Sequence, residues 1–454
     1  MRQAVERLDR WGLPARWSRF FWERVAGGWP VSAEGRGRAL WLTWQTGWLF
    51  LAQSSAGVFN YLSNVAAGRL LGPADYGAFA ALSAVLVILV ALAGTIQTLT
   101  AQGVARALAA GRGGQVGALL RYLFLSVALR WGGLATLAAV ILSPLLASWL
   151  HTSAIASAVA SITILPLAML PIFQGALRGS QRFIPFGATV MVNGGLRFAL
   201  TVLLASLGLG LMGTVAALPL SQLAAALLGL WLLRDLLRRE PAAPAPLLLG
   251  ANRELAGAAL GLLAFAFLVN ADVILVKNRF PAEEAGLYSA MAVLGKAVLY
   301  FPASITGVLL PLVVGRTVRG ERALSLLLGS LGAVVVLCAM FAVPFALFPV
   351  RALGLLFGAT YAGYASLLGS YSIAMMLYAM ANVWLIYAIG RQRLGYPLML
   401  TAIALAEMVA LAMVPLKLET VVMVVVSGGA AAIALAVVES ARLWWSQRMP
   451  AVHE

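Results

Sequence analysis

The sequence has few charges, one cysteine and two histidines, and each shortage excludes a class of protein. Of its 454 residues 32 are basic and 16 acidic, so 11% are charged, against about 25% in soluble domains. That is too few to cover a soluble globule of this size. Cys338 cannot form a disulfide within the chain, and with His151 and His453 it makes too small a set for a zinc site. Since motifs for nucleotide hydrolysis and acyl transfer are also missing, we predict neither a metal nor another cofactor.

Long apolar runs fill the chain instead. Hydrophobic residues make up 62% of it, and runs of roughly 20 apolar residues are long enough to cross about 30 Å of hydrocarbon as helices. The sequence therefore predicts an all-α polytopic membrane protein with twelve spans. The predicted spans are residues 42–67, 76–101, 122–149, 154–176, 185–208, 211–233, 255–276, 286–314, 323–349, 362–389, 395–416 and 420–444.

The basic residues alternate between the two sides of these spans. One side collects 24 of them, eight within residues 1–38, and the other side only five. Because loops rich in Lys and Arg stay in the cytoplasm, both termini are predicted to be cytoplasmic, in the inner or plasma membrane of a bacterial-type cell. Residues 1–38 also carry many aromatic side chains, which favours contact with anionic membrane lipids over contact with nucleic acid.

The chain consists of two similar halves. Gly77 in LGPADYGAF corresponds to Gly286 in FPAEEAGLY, and GSQR at 179–182 corresponds to GRQR at 390–393. Six helices in each half give both copies the same orientation, as in transporters with parallel repeats that bind substrate between their lobes. The predicted organisation is an interfacial segment 1–38, a six-helix lobe 39–233, a cytoplasmic linker 234–253, a second six-helix lobe 254–446 and a cytoplasmic tail 447–454.

Five ionisable residues lie inside predicted spans, where each is costly in hydrocarbon and is expected to face water, a partner or the bundle interior. The three cations fall near the middle of the membrane and are predicted to bind an anion, for which phosphate is the natural candidate. The two acids are predicted either to pair with a buried cation or to bind a coupling Na⁺ or H⁺, and a lone buried arginine can also be a structural hydrogen-bond hub. The cations are Arg130, Arg197 and Lys296, and the acids are Asp272, which has Asn270 beside it, and Glu407.

Polar side chains recur at helical spacing near these charges, which favours a hydrated cavity between the lobes. Faces of small residues also serve simple helix packing. Pro302 predicts a kink in the eighth span, so that the helix carrying Lys296 is a candidate gate or a static bend. The residues predicted to line the cavity are Gln53, Asn60, Asn64, Thr189, Asn193, Tyr300 and Ser304.

Four segments of the sequence resemble a known family of transporters. They are GRLLGPADYGAFAAL (68–82), QGALRGSQRF (174–183), NADVILVKNRFPAEEAGLYSA (270–290) and FGATYAGY (357–364). They are similar to the oligosaccharide and polysaccharide flippases of the multidrug/oligosaccharidyl-lipid/polysaccharide (MOP) exporter superfamily, over about residues 42–445. The resemblance implies two facing lobes, alternating access and movement of an undecaprenyl-diphosphate-linked sugar to the outer leaflet. The implied partners are that polyprenyl-diphosphate-linked glycan, membrane lipids and other polysaccharide-assembly proteins.

Three other functions compete with the flippase hypothesis. A small-molecule or drug exporter of the same superfamily is the nearest alternative. A pump for cationic drugs would favour an acidic or aromatic cavity, and an excess of three buried bases over two buried acids is too small to exclude it. A membrane glycosyltransferase or polymerase is disfavoured, since the predicted external loops are short and hold only Asp75, Glu283, Glu284 and Glu419. A scaffold for polysaccharide export would leave the polar stripes unexplained. We therefore predict a transporter rather than an enzyme.

Overall fold

The helices of the computed structural model follow the apolar runs of the sequence. The structure describes residues 33–237, 253–318 and 324–448, and every regular element in these ranges is helical. The chain divides into two compact units, Met1–Trp48 and Leu49–Glu454. In the first unit the described residues 33–48 are helical. The predicted interfacial segment, linker and tail lie largely outside the described residues.

The first half of the chain contains six long helices. Two short helices, Ser143–Trp149 and Arg234–Leu237, follow the third and the sixth of them. The long helices are α1 (Ala33–Leu71), α2 (Pro73–Ala109), α3 (Gly113–Ile141), α4 (Ala154–Gly179), α5 (Phe183–Leu204) and α6 (Gly210–Leu232).

The second half repeats this pattern. After the ninth helix come a short helix, Pro349–Leu356, and a 3₁₀ helix, Ala359–Leu367. The long helices are α7 (Arg253–Arg279), α8 (Ala282–Tyr300) with its continuation Ala303–Val318, α9 (Leu324–Leu347), α10 (Leu368–Gly390), α11 (Gly395–Met413) and α12 (Leu418–Arg448).

Each of the twelve predicted spans falls on one of these helices. In the described ranges, nine helical stretches are long and apolar enough to cross a membrane, and one of them, Phe183–Leu232, contains both α5 and α6. The break predicted at Pro302 is present, since α8 ends at Tyr300 and resumes at Ala303. A proline at that point cannot donate the backbone hydrogen bond that would continue the helix.

The backbone repeats as well as the sequence. Gln181 and Gln392, at equivalent positions of the two halves, both adopt positive φ, 57° and 55°. The amide after each glutamine closes the same turn, with Arg182 N–H donating to Leu177 O at 2.8 Å and Arg393 N–H to Ala388 O at 2.9 Å. Such left-handed turns end helices by satisfying their last carbonyls. Two copies of one turn, at one offset, support a duplicated six-helix unit.

The two lobes share a hydrophobic core at one end. The buried residues of α2 from Tyr76 to Leu86 belong to the same core as those of α7, α8 and α10. The far end of α2, with Val104 and Ala107, belongs instead to a separate core formed within the first lobe. We call the shared end, which carries residues 68–79 and 276–286, the outer end, because the charge distribution predicts that it lies outside the cell.

Candidate functional site

The second lobe buries a carboxylate beside an ammonium group. Asp272 on α7 is fully buried, and its Oδ1 lies 3.7 Å from Nζ of Lys296 on α8. The ammonium also donates to Asn270 Oδ1 at 3.3 Å. The hydroxyls of Tyr288 and Tyr371 donate to Asp272 Oδ2 at 2.9 Å and 2.7 Å. These neighbours from three helices offset part of the cost of burying the charge.

This geometry has the features of an ion pair rather than of an open ion site. Both tyrosine hydroxyls donate to the same oxygen of Asp272, and the other oxygen faces the Lys296 ammonium. Tyr300, one helical turn beyond Lys296, is 53% exposed and interacts electrostatically with the same carboxylate. Ser304, the next predicted residue, lies on the continuation of α8, and its side chain is outside the described residues.

A second carboxylate is buried in the same lobe. Glu407 on α11 is 4% exposed, and its Oε2 accepts a hydrogen bond from the hydroxyl of Tyr378 on α10. Gly428 on α12 lies so close that a Cβ there would be 1.9 Å from that oxygen. The other oxygen, Oε1, is buried without a hydrogen-bond partner. Asp272 is near enough to act electrostatically on Glu407, so the two acids belong to one buried polar cluster.

The first lobe holds a cation without an acid. Arg197 on α5 is half-buried, and its Nη1 donates to Asn60 Oδ1 on α1 at 3.3 Å. Its Nε is buried and has no hydrogen-bond partner. Oδ1 of Asn193, one turn earlier, is likewise buried without a partner. Gly194 brings the two helices together, since a Cβ there would lie 3.0 Å from the Ala56 backbone. The guanidinium therefore keeps unused donors in a partly open position.

No carboxylate of the first lobe is placed to neutralise this arginine. Residues 39–233 contain eight arginines and one acidic residue, Asp75, and Asp75 lies in the first turn of α2 at the outer end. Asp75 interacts electrostatically with Lys277 of the other lobe. The first lobe is therefore strongly cationic.

Other predicted polar residues fall into two groups. Asn64 donates to Asn60 O at 2.8 Å within α1, and Gln53 on the same helix is exposed. Thr189 on α5 is buried and accepts a hydrogen bond from Gln174 at 3.3 Å. Gln174 in turn accepts one from Gln97 at 3.3 Å, so a polar chain joins α2, α4 and α5. Sequence reasoning missed both of these glutamines, although each is an amide inside an apolar span.

The third predicted cation lies apart from the other two. Arg130 is exposed and lies in a π-helical segment of α3, Leu123–Gly132, with its guanidinium 5.8 Å from the centroid of the Trp131 ring. In the described part of the chain, Arg130, Arg197 and Lys296 share no hydrogen-bond or ion-pair partner. Their common action on one anion therefore stays a prediction.

The residues that complete the buried cluster were not predicted. Tyr288, Tyr371 and Tyr378 supply the hydroxyls, and Gly428 supplies the space beside Glu407. The only sign of them in the sequence was the presence of tyrosine in the apolar runs that carry them. Tyrosine is common in such runs and does not by itself indicate a buried cluster. Among the residues that the structure describes, no three His, Cys, Asp or Glu side chains are grouped as a metal site would require.

An ion pair outside the spans fixes the start of the linker. Arg182 Nη1 donates to Asp235 Oδ1 at 2.8 Å, its Nη2 contacts the other carboxylate oxygen, and Nη1 also reaches Leu232 O at 3.2 Å. Hydrogen bonding to the guanidinium lowers the pKa of Asp235 below its usual range. The same contact raises the pKa of Arg182, so the pair holds its charges at neutral pH.

Comparison with known proteins rests on structure alone, because no protein-family model and no curated protein matches the sequence. The inward-facing conformation of a multidrug resistance MATE family transporter of the MOP superfamily is similar, with a TM-score of 0.67 at 17% identity over 87% of this chain and 96% of that chain. The chain has a MATE-like fold. The outward-facing conformation of such a transporter gives 0.61 at 17% identity, over 89% and 96% of the two chains.

A third similar structure also has the MATE-like fold. It is a MOP superfamily transporter from Pyrococcus furiosus Vc1 (DSM3638), with a TM-score of 0.57 at 15% identity over 89% of this chain and 96% of that one. Reverse polarity of its binding pocket suggests a different function for that transporter. The MATE-like fold confirms the predicted all-α architecture of two lobes and about twelve membrane helices. Membership of the oligosaccharide flippase branch stays a prediction.

Proposed function

We propose that this protein is a multi-pass membrane transporter that works by alternating access and moves a polyprenyl-diphosphate-linked oligosaccharide from the cytoplasmic to the outer leaflet. The MATE-like fold supports the transporter class. The observation that carries the substrate proposal is Arg197, a half-buried guanidinium with unused donors in a lobe that has eight arginines and one acidic residue. Such a group favours an anionic ligand, and planar guanidinium donors match phosphate oxygens.

The position of Arg197 suits a headgroup carried into the membrane. It lies fourteen residues after Phe183, which at 1.5 Å per residue is about 21 Å along α5 and well inside a bilayer. At that depth a charge is maintained only beside water, protein or ligand. Asn60 and Asn193 next to it carry amide groups that can hydrogen-bond sugar hydroxyls.

The second lobe contributes less charge to an anion site. Lys296 is paired with Asp272 at 3.7 Å, so the two together are nearly neutral. Arg197 then provides the principal electrostatic attraction, and Arg130 joins it only if the lobes or the substrate bring them together. The membrane potential favours export of an anionic headgroup by about 2.3 kcal/mol per charge per 100 mV, so coupling to Na⁺ or H⁺ would assist transport without being required.

A drug exporter is the second candidate function, and the buried acid Glu407 favours it. One oxygen of that carboxylate has no hydrogen-bond partner, and a carboxylate of this kind can take up a proton in exchange for a cationic drug. The similar structures include a multidrug resistance transporter. The two candidates place the decisive charge in different lobes, which makes them separable.

The test is flipping of a fluorescent undecaprenyl-diphosphate sugar in proteoliposomes. Arg197→Ala is expected to slow flipping about 10- to 100-fold, as the loss of a charge-assisted hydrogen bond predicts. Glu407→Gln is expected to leave flipping within about twofold of the unmodified protein. Arg234→Ala is the matched control, because Arg234 is exposed and stacks on Trp231 at the end of α6.

Efflux of a cationic dye is measured in the same vesicles. If Glu407→Gln abolishes dye efflux and Arg197→Ala leaves the flipping rate unchanged, the drug exporter replaces the flippase proposal. Flipping that is equally fast in protein-free vesicles would remove the lipid-linked sugar as a substrate.

A further inference from the structure

The last turn of α1 forms hydrogen bonds with backbone carbonyl groups of the other lobe. Arg69 Nε donates to Leu356 O at 2.7 Å, and Arg69 Nη2 donates to Leu355 O. Leu356 is the last residue of the short helix Pro349–Leu356, and the final carbonyls of a helix lack partners within it and attract cations. In the opposite direction, the Tyr361 hydroxyl donates to Gly68 O at 2.6 Å.

Aromatic packing closes the same contact. A Cβ at Gly68 would lie 2.4 Å from Cδ1 of Phe357, so no side chain fits between α1 and that ring. Tyr76, on α2, lies with its ring centroid 5.6 Å from that of Phe357 and 6.0 Å from that of Tyr361. All three rings are buried. The lobes therefore meet here through both hydrogen bonds and a desolvated cluster.

A second contact occupies the repeat-related position. Asn278, in the last turn of α7, donates from Nδ2 to Trp149 O at 2.6 Å. Trp149 is the last residue of the short helix Ser143–Trp149, just as Leu356 ends Pro349–Leu356. A residue with positive φ comes two positions after each, His151 at 48° and Gly358 at 107°. In each case the first helix of one lobe donates to the final carbonyl of the short helix of the other lobe.

These contacts hold the lobes together at the outer end. The side-chain hydrogen bonds between the lobes that the described residues show are the three at Gly68 and Arg69 and the one at Asn278. Toward the opposite end the first lobe has a separate core around Val104 and Leu120. The cleft between the lobes is therefore closed outside, and the loops after α2 and α4 belong to its other end.

We propose that the two contacts are paired latches, related by the internal repeat, that keep the outer end closed and must both release before the lobes open outward. This inference rests on the proposed alternating-access function. Two weak latches suit a transporter better than one strong contact. Each latch releases when a few hydrogen bonds break, while both together stabilise the closed state.

The test measures opening of the outer end without substrate. Spin labels at Leu145 and Leu416, one in each lobe and both more than 60% exposed, report the distance across the outer end in a Cys338→Ala background. Arg69→Ala and Asn278→Ala are each expected to raise the ratio of open to closed molecules about tenfold, and the double variant to raise it further. Tyr361→Phe removes one hydroxyl and tests the first latch if Arg69→Ala does not fold.

Arg279→Ala is the matched control. Arg279 follows Asn278 and also donates to backbone carbonyls, at Leu411 and Val414, but both belong to its own lobe. Its loss is expected to leave the distance distribution unchanged. Equal opening in Arg279→Ala, or no opening in Arg69→Ala, Tyr361→Phe and Asn278→Ala, would overturn the latches. Because the readout needs no substrate, latches that open in a protein unable to flip lipid would leave this inference standing and remove only the proposed substrate.

Discussion

At the scale of single residues, the central feature is a buried charge pair whose partners lie on the consecutive helices α7 and α8. Asp272 and Lys296 are 0% and 6% exposed, and their closest nitrogen and oxygen are 3.7 Å apart. Desolvating two ions costs several kcal/mol, and their attraction recovers this cost only with good additional hydrogen bonds. A pair at this separation contributes little net stability, so its presence in the buried polar cluster favours a functional role.

Breaking one side of the pair is expected to cost more than removing both sides. Lys296→Ala leaves the Asp272 carboxylate buried without a cation and should lower the free energy of unfolding by about 3–5 kcal/mol. Adding Asp272→Asn to Lys296→Ala should restore much of that loss, because the neutral amide needs no counter-charge. Urea unfolding of detergent-solubilised protein, followed by circular dichroism, measures the cycle. Additive effects of the two substitutions would show that the groups do not interact.

The sequence identified both charges but could not pair them. A charged residue in an apolar run is visible from composition alone, and so Asp272, Lys296 and Glu407 were all predicted as buried ionisable residues. Which of them meet depends on how each helix is rotated about its axis, and apolar spans with small amphipathicity leave that rotation undetermined. The tyrosine hydroxyls around Asp272 are invisible to sequence reasoning for the same reason.

At the scale of helices, the lobes come close together at the crossing of α2 and α8. Gly77 and Gly286, which the sequence repeat aligns with each other, also meet in space, since a Cβ at Gly77 would lie 2.9 Å from Gly286 N. Equivalent residues of two copies contact each other only where the copies are related by a twofold axis. The crossing therefore marks the approximate symmetry axis between the lobes.

Adding a methyl group at this crossing is expected to open the outer end. A Cβ at Gly286 would lie 1.7 Å from Pro73 O, which is backbone and can yield only if the helices separate. Gly286→Ala should cost about 1–3 kcal/mol in the closed state and lengthen the Leu145–Leu416 spin-label distance. Gly329→Ala on α9 is the control, because nothing lies within 4 Å of the added Cβ there. An unchanged distance in Gly286→Ala would show that the crossing does not hold the lobes closed.

Most elements were predictable from the sequence, but not all of their interruptions were. Length and hydropathy determine where a chain can cross a membrane, so all twelve spans fall on helices. The break before Ala303 follows from Pro302, which lacks an amide hydrogen. The π-helical segment Leu123–Gly132 has no such local signal, since its residues would also form an ordinary helix. The segment packs against α4, where a Cβ at Gly132 would lie 2.9 Å from Cβ of Ala168, and it leaves Arg130 exposed, which the sequence did not predict.

At the scale of the whole molecule, charge and packing divide the protein in the same way. The end where the lobes share a core carries few basic residues, and the end where the first lobe keeps its own core carries Arg112, Arg121, Arg178 and Arg182. If the basic end is cytoplasmic, the lobes share their core on the outer side of the membrane. The anionic headgroup of the proposed substrate would then meet these arginines before it reached Arg197.

That orientation predicts opposite labelling of two exposed positions. Ala282, in the first turn of α8 at the outer end, and Ala110, just after α2 at the other end, are both exposed. Single cysteines at these positions, in a Cys338→Ala background, are treated in intact cells with a membrane-impermeant maleimide. The cysteine at 282 should react at once, and the cysteine at 110 only after the cells are permeabilised, because 24 of the basic residues lie on its side and five on the other. Reversed labelling would place the proposed latches on the cytoplasmic side and reverse the proposed direction of transport. Labelling of both positions from outside would contradict the twelve-helix path of the chain.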